Sequence, residues 1–342
     1  MSSIPFRYLS QEDFIRCGAF DLPMAIRAAQ SSIRLFDEGR ILFPEKIVQE
    51  FDDVYKDRIN CLPATLLDEP NPDQLKKIKL VVSDLDGTLL NADSQLPADF
   101  SQVVRDLTDS DILFATASGR NWQSQKAVFT ACNEQMTFIC DNGAFIVHKG
   151  RQFFISELKE DLWKGIARKC AEYGSDCGAV ICGVKSAYLL RNPQIQPIVE
   201  QFYPEIVYVD DFDEIEDQVF RISVCYLKGP AGEMFEDFSR CYGDRASLVC
   251  AHPVFMDVMN SGINKAAGVL MLQQSLGLTS EQTMAFGDYD NDIEMLKNAG
   301  IAYIMENAPL FMREHAQYLA PSNEDQGVVT VLEDTLLKAV RA

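Results

Sequence analysis

Histidine is scarce in this chain, with only His148, His252 and His315 among 342 residues. The ten cysteines are scattered, and no CxxC spacing or histidine-rich partner set accompanies them. Protein zinc sites are built mainly from these two residue types at short spacings. The sequence therefore gives no indication of a zinc site. Most of the cysteines are interpreted as small buried residues in a reducing cytosol.

Positively charged residues are also few compared with acidic ones. Lysine and arginine total 31 against 51 acidic residues, which gives a formal net charge of −20. Nucleic acids and anionic membranes attract positively charged surfaces, so this composition argues against either as a partner. An anionic substrate would have to be held by local positive groups. A cation-dependent site is compatible with the acidic balance.

Long apolar runs are missing as well. No stretch approaches the ~20 residues of a membrane span, and the N-terminus has no basic-then-apolar signal region. Internal repeats and low-complexity tracts are not found either. We therefore expect a cytoplasmic enzyme. Its length is enough for two compact domains and an appendage.

The first part of the chain, 1–76, differs from the rest. A capping box at Ser10–Asp13 predicts a short helix, and a second helix is predicted from Asp21 to Gly39. Three prolines within 62–76 indicate a linker. We expect a mostly helical extension that packs on the rest of the chain or forms a subunit contact.

From residue 77 the pattern becomes α/β and predicts a doubly wound parallel sheet. Continuous apolar runs, typical of strands covered on both faces, are separated by helical stretches. A different mixture of helices and strands occupies 153–253 and is interpreted as an inserted α/β domain. The core is then divided into 77–152 and 254–342. The predicted core strands are 78–83, 112–117, 136–140 and 283–287, and the predicted core helices are 99–109, 121–132, 264–276 and 291–299.

The pentapeptide Asp84-Leu85-Asp86-Gly87-Thr88 directly follows the first of these strands. Side chains alternate along a strand, so both carboxylates can point the same way at its end, where Gly87 allows a sharp turn. Such a pair suits Mg²⁺, and an aspartate can also attack phosphorus. An ordinary acidic turn is the alternative interpretation of the pentapeptide alone.

Similar polar signals follow the other predicted strands. Ser118-Gly119-Arg120 offers a hydroxyl and free backbone N–H groups at a helix start, which suits phosphate, although a serine cap alone would look the same. Asn142 follows the strand 136–140. Lys265 opens a helix, where the macrodipole disfavours a cation unless an anion lies beside it. Gly287 is followed by Asp288, Asn291 and Asp292, and the two carboxylates one turn apart can approach one metal.

Taken together, these motifs and their order resemble the haloacid dehalogenase superfamily, in particular Cof-type phosphatases with a large α/β cap. The resemblance covers about residues 77–342. It implies a fold with a Rossmann-like core and a cap inserted at 153–253, and it implies a Mg²⁺-dependent phosphatase that acts on a small phosphorylated metabolite, either a sugar phosphate or a phosphorylated cofactor.

The resemblance also implies roles for matching residues. Asp84 is expected to be the nucleophile and Asp86 the general acid and base. The phosphate is expected to bind to a set that comprises Ser118, Gly119, Lys265, Asn142 and Asn291. Arg120 is expected to face the substrate. The Mg²⁺ ligands are expected from Asp84, Asp86 through its carbonyl, and Asp288, with Asp292 in support.

Two other functions remain open. A phosphohexomutase shares this core, but it would need a cluster of cap cations to hold a second phosphate, and the candidates Lys185, Arg191, Arg221 and Lys228 form no evident cluster. A regulatory or binding role of 1–76 is the other alternative. About forty residues of this segment, Tyr8–Lys46, resemble the start of ornithine cyclodeaminases. This resemblance favours a contact within a homo-oligomer, and no enzymatic activity is inferred from it.

Overall fold

The computed structural model describes residues 70–203 and 205–342, and the backbone of four short strands before them. The chain forms two compact units, Met1–Glu69 and Pro70–Ala342. In the first unit the described residues form two antiparallel pairs of strands, whereas a mostly helical segment was expected. The pairs are β1 (Ile41–Leu42) with β4 (Thr65–Leu66), and β2 (Ile47–Glu50) with β3 (Arg58–Cys61). Both predicted N-terminal helices, and the segment resembling ornithine cyclodeaminases apart from β1, lie outside the described residues.

The second unit begins with a one-turn helix, α1 (Pro72–Leu75), inside the predicted linker 62–76. Asn71 caps this helix, since its Oδ1 accepts the N–H of Asp73 at 2.8 Å. Pro72 fits the first helical position because its missing N–H would have no helical partner there. Leu75 is buried in the core, so the folded unit starts before residue 77.

An eight-stranded sheet forms the core of this unit. Its first five strands are β5 (Leu80–Ser83), β6 (Leu113–Ala117), β7 (Thr137–Cys140), β8 (Phe145–His148) and β9 (Arg151–Ile155). The helices between the first three are α2 (Phe100–Asp109) and α3 (Trp122–Val128), the second ending four residues before the predicted 132.

A six-stranded, mainly antiparallel sheet follows in the chain. Its strands are β10 (Cys177–Gly183), β11 (Ala187–Leu190), β12 (Ile206–Val209), β13 (Val219–Tyr226), β14 (Ala246–His252) and β15 (Phe255–Asn260). Its helices are α4 (Glu160–Cys170), α5 (Gln196–Phe202) and α6 (Glu233–Tyr242). β15 pairs with β13 and β14, so this sheet extends beyond the predicted boundary at 253.

The chain then returns to the eight-stranded sheet. The remaining elements are α7 (Lys265–Leu276), β16 (Thr283–Gly287), α8 (Ile293–Lys297), β17 (Ile301–Met305), β18 (Tyr318–Ala320), α9 (Gly327–Val331) and α10 (Lys338–Arg341), with a π-helical segment over Leu332–Leu337 before the last of these. The strand order is β18-β17-β16-β5-β6-β7-β8-β9, parallel from β18 to β7 and antiparallel beyond it.

Apolar side chains cover both faces of the parallel strands. Leu80 and Val82 of β5 belong to a buried cluster with Val269 of α7. Val81, between them, belongs to a second cluster with Val103 of α2. Alternating side chains of one strand thus contact helices on opposite faces. This arrangement confirms the doubly wound α/β class. None of the helices in the described ranges combines the length and apolar character that crossing a membrane requires.

Candidate active site

The polar motifs of the sequence lie at the carboxyl ends of adjacent parallel strands. Asp84 follows β5, Ser118 follows β6, Asn142 lies in the turn after β7, and Asp288 follows β16. β16, β5, β6 and β7 are neighbours in the sheet, so their ends meet at one edge. Ligands of open α/β sheets bind at this edge.

Lys265 lies at the centre of this edge. Its Nζ is 2.7 Å from Oδ1 of Asp84 and 2.8 Å from Oδ1 of Asp292, and its side chain is only 1% exposed. Asn264 caps α7 by accepting the N–H of Ala267 at 2.8 Å, which places Lys265 at the first helical position. The two carboxylates compensate the unfavourable interaction of the ammonium with the helix dipole.

Three carboxylates gather beside this lysine. One oxygen from each of Asp84, Asp288 and Asp292 can be chosen so that all three lie within 4.8 Å of one another. Thr88 donates to Oδ1 of Asp288 at 2.9 Å. Oδ2 of Asp292 accepts the backbone N–H of Asp288 at 3.0 Å and of Tyr289 at 3.1 Å. Asp292 therefore holds both the lysine and the turn that carries Asp288.

These donors fit a hard cation. Mg²⁺ prefers carboxylate and carbonyl oxygens, and it is commonly held by one or two carboxylates that leave room for water and phosphate. Both oxygens of Asp292 already accept hydrogen bonds, from Lys265 and from backbone N–H groups. Asp84 and Asp288 are therefore better placed to contribute direct ligands.

Burial changes the charge balance of the site. Burial, reinforced by Asp292 and opposed by Lys265, raises the pKa of Asp84 to about 8. Burial also raises the pKa of Asp288. Burial disfavours the charged form of Lys265, but Asp84 and Asp292 together hold its pKa above the ordinary value. An added cation would favour the ionised carboxylates.

Asp86 is exposed and held by Arg120. The guanidinium donates from Nε to Oδ2 of Asp86 at 2.8 Å and from Nη2 to its Oδ1, a bidentate pair. It also donates to Oγ of Ser94 at 3.2 Å. The arginine that was expected to face substrate thus contacts the residue expected to be the general acid.

The remaining predicted phosphate ligands occupy three turns. The backbone N–H of Asn142 donates to the carbonyl of Ser118 at 3.0 Å, which joins the turns after β6 and β7. A Cβ on Gly119 would lie 3.3 Å from the amide of Asn142, so these residues are in close contact. Asn291 lies in the turn between Asp288 and Asp292 with an exposed side chain.

Several residues that shape the site carried no predicted role. Thr88 orients Asp288, although it belongs to the pentapeptide that contains Asp84. Asn307 donates to the carbonyl of Gly87 at 2.8 Å and accepts the N–H of Asn323 at 3.0 Å. Asn323 in turn donates to the carbonyl of Leu90 at 2.9 Å. These asparagines fix the loop after β5, and no local pattern in the sequence indicates the contacts.

Comparison with known proteins gives one consistent family. The profile of the haloacid dehalogenase-like hydrolases matches residues 81–332. A 5-amino-6-(5-phospho-D-ribitylamino)uracil phosphatase of Escherichia coli is 29% identical over 76% of this chain and 96% of its own length. An HMP-PP phosphatase of Escherichia fergusonii is 27% identical over 70% of this chain and 89% of its own.

Solved structures with a similar fold are also found. A Streptococcus mutans protein has a TM-score of 0.66 and 27% identity, with 76% of this chain and 99% of that chain covered. A Thermotoga maritima protein has a TM-score of 0.68 over 75% of this chain and 97% of its own. At 20% identity the second likeness concerns the fold alone.

Proposed function

This chain belongs to the haloacid dehalogenase-like hydrolases and is a phosphoric monoester hydrolase, and from that premise we propose a Mg²⁺-dependent phosphatase that works through an aspartyl-phosphate. Its substrate is a small phosphorylated metabolite. The observation that carries this proposal is the buried cluster in which Lys265 joins Asp84 to Asp292, with Asp288 beside them. The phosphatases named among the relatives act on phosphorylated metabolites, which supports the substrate class.

In the first step an oxygen of Asp84 attacks phosphorus and the bond between phosphorus and the leaving oxygen breaks. Asp86 donates a proton to that oxygen, so the leaving group departs as an alcohol. Lys265 neutralises charge on the transferring phosphoryl group, while Ser118 and the N–H groups of Gly119 and its neighbours bind phosphate oxygens. Arg120 must release part of its contact with Asp86 when substrate binds.

In the second step the carboxylate of Asp86 takes a proton from water. The water oxygen attacks phosphorus, and the bond between phosphorus and Asp84 breaks to return the free carboxylate and inorganic phosphate. Asn142 and Asn291 orient the phosphate during both steps. Asp292 keeps Lys265 in place through its hydrogen bond at 2.8 Å.

Mg²⁺ would be held by Asp84, Asp288 and the carbonyl of Asp86, with Asp292 in support. Bound there, it supplies positive charge that reduces the repulsion between the phosphate dianion and a carboxylate nucleophile. The donor set of oxygen atoms and the cluster's three carboxylates support this assignment.

The six-stranded sheet and its helices are proposed to be the cap. The core lies in two parts before and after it in the chain, as predicted, but the boundary between the cap and the second part of the core is nearer residue 260 than 253.

A mutase is less well supported, because its candidate cap cations are already engaged within the protein. Arg221 is buried against acids, Lys185 donates to the carbonyl of Glu216 at 2.6 Å, and Lys228 is 2.9 Å from Asp176. Arg191 lies 3.6 Å from Asp210. Oligomerisation through 1–76, and a regulatory role for it, stay predictions.

Phosphate release from sugar phosphates, nucleotides, phosphorylated cofactors and p-nitrophenyl phosphate, with Mg²⁺ and with chelator, tests the proposal. We expect Mg²⁺-dependent release that Asp84→Asn abolishes. Asp244→Asn, the same change at an exposed aspartate of the six-stranded sheet domain, is the control that should retain activity. Release that persists in folded Asp84→Asn would contradict the assignment.

A further inference from the structure

A short turn from Leu85 to Leu90 carries Asp86, the proposed acid and base. The N–H of Leu90 donates to the carbonyl of Leu85 at 2.8 Å and closes the turn. The side chain of Asp86 is 55% exposed and accepts hydrogen bonds from Arg120. Burial therefore does not fix this carboxylate, and its place depends on the arginine and on the backbone of the turn.

Two asparagines from later in the chain hold this turn. Asn307 follows β17, and its Nδ2 donates to the carbonyl of Gly87 at 2.8 Å. Asn323 follows β18, and its Nδ2 donates to the carbonyl of Leu90 at 2.9 Å. The N–H of Asn323 also donates to Oδ1 of Asn307 at 3.0 Å. The two side chains are thus joined into one unit, the asparagine clamp.

Both contacts of the clamp lie next to Asp86 in the backbone. Gly87 directly follows it and has a φ of +81°. A residue without a Cβ is sterically free to rotate unless a hydrogen bond holds its carbonyl. Leu90 forms a parallel β-bridge with Asp86. Release of either carbonyl would therefore let the backbone of Asp86 shift.

The proposed nucleophile is held by other contacts. Asp84 precedes the turn, and its backbone N–H donates to the carbonyl of Phe286 in β16 at 3.0 Å. Its carboxylate lies 2.7 Å from the ammonium of Lys265. Because these contacts are separate from the asparagine clamp, loss of the clamp should displace Asp86 and leave Asp84 in place.

We propose that Asn307 and Asn323 are positioning residues that keep Asp86 in place as the base of the second step. This rests on the phosphatase function proposed above. In that step the carboxylate of Asp86 takes a proton from water, the water oxygen bonds to phosphorus, and the bond from phosphorus to Asp84 breaks. Both asparagines act through the backbone of the turn, without contact to the reacting atoms. Attack by Asp84 on an ester that needs no acid is independent of them.

p-Nitrophenyl phosphate separates the two steps, because its leaving group needs little help from an acid. At saturating ester and Mg²⁺, samples of the full-length protein are acid-quenched in the steady state and their phosphoenzyme is measured. The rate of phosphate release divided by the phosphoenzyme concentration gives the rate constant of the second step. The same rate divided by the concentration of the remaining enzyme gives that of the first.

Asn307→Ala and Asn323→Ala are expected to slow the second step about tenfold or more and to change the first by less than about twofold. Phosphoenzyme should therefore accumulate in both, as in Asp86→Asn. Asn71→Ala is the matched control, because the same change removes the cap of α1, which precedes the amino end of β5. Both of its rate constants should equal those of the wild type. A loss of folded protein lowers release and phosphoenzyme in the same proportion, so it leaves the second rate constant unchanged.

A second step as fast as in the wild type, or equal slowing of both steps, would overturn the proposal if the clamp variants are folded. Asn307→Ala decides the matter if Asn323→Ala does not fold, because Asn307 is exposed whereas Asn323 is buried. Accumulation of phosphoenzyme in Asp86→Asn but not in the clamp variants would refute the clamp and leave the phosphatase function standing. Phosphate release without phosphoenzyme in any of these proteins would refute the aspartyl-phosphate mechanism, and the proposal with it.

Discussion

The ammonium group of Lys265 lies 2.7 Å from Oδ1 of Asp84, and neither side chain is more than 8% exposed. An ion pair this deeply buried is sensitive to the loss of either partner. Removal of one member leaves a charge that the interior cannot solvate, and such changes cost about 3–5 kcal/mol. The proposed nucleophile is therefore held by an interaction that stability measurements can detect without substrate.

Lys265→Met is expected to lower the free energy of unfolding by about 3–5 kcal/mol, because Asp84 and Asp292 would lose their common cation. Asp84→Asn should cost less, since Lys265 keeps Asp292. The loss of unfolding free energy in the double variant Lys265→Met/Asp84→Asn should be smaller than the sum of the two single losses, by about 1 kcal/mol or more. Denaturant unfolding of the four proteins without added metal measures this coupling, and strictly additive effects would contradict the pairing.

Gly87→Ala is expected to reduce both stability and activity. The φ of Gly87 is +81°, and a Cβ there would lie 2.5 Å from Oδ2 of Asp288. Gly150 has a φ of +74°, and a Cβ there would have no atom within 4 Å, so Gly150→Ala carries the backbone strain alone, about 1–2 kcal/mol. Equal phosphate release by the two alanine variants would contradict this, because it would show that the contact with Asp288 does not affect activity.

Mg²⁺ is expected to raise the melting temperature of the wild type by several degrees, since a ligand that binds only the folded state stabilises it. Chelator should reverse the effect. Asp288→Asn removes one charged oxygen donor and should lose most of the shift, whereas exposed Asp244→Asn should retain it. Differential scanning fluorimetry across a Mg²⁺ titration gives the comparison. A full shift in Asp288→Asn would place the ion elsewhere.

Asp141 should make stability depend on pH. Burial, opposed by Arg221 and reinforced by Asp257, raises its pKa from 3.8 to about 7. A carboxyl group with a raised pKa in the folded state contributes its stability below pH 4 and loses it as pH rises towards 7. Asp141→Asn removes this dependence, so its stability relative to the wild type should increase between pH 4 and pH 7. A constant or decreasing difference in melting temperature would contradict this.

The sequence is sufficient to predict four of the eight strands of the sheet and the polar residues that follow them, because each motif follows an apolar run that becomes a parallel strand. Asp84 and Asp288 end neighbouring strands for this reason. Lys265 could be singled out because its helix position is electrostatically unfavourable. The contact between Asp141 and Arg221 could not be predicted, since it depends on how the inserted domain sits on the core. Nor does local sequence show that Arg120 contacts Asp86.

The assignment of Asp84 as nucleophile can be tested by trapping the phosphorylated enzyme. Asp86→Asn lacks the base for the second step, but p-nitrophenyl phosphate needs little help from an acid in the first. Acid-quenched Asp86→Asn, incubated with this ester and Mg²⁺, should contain one phosphoryl group on the peptide that carries Asp84, detected by mass spectrometry. The account predicts no such group in the double variant that carries both Asp84→Asn and Asp86→Asn. A phosphoryl group on another residue, or active turnover by the variant lacking Asp84, would contradict it.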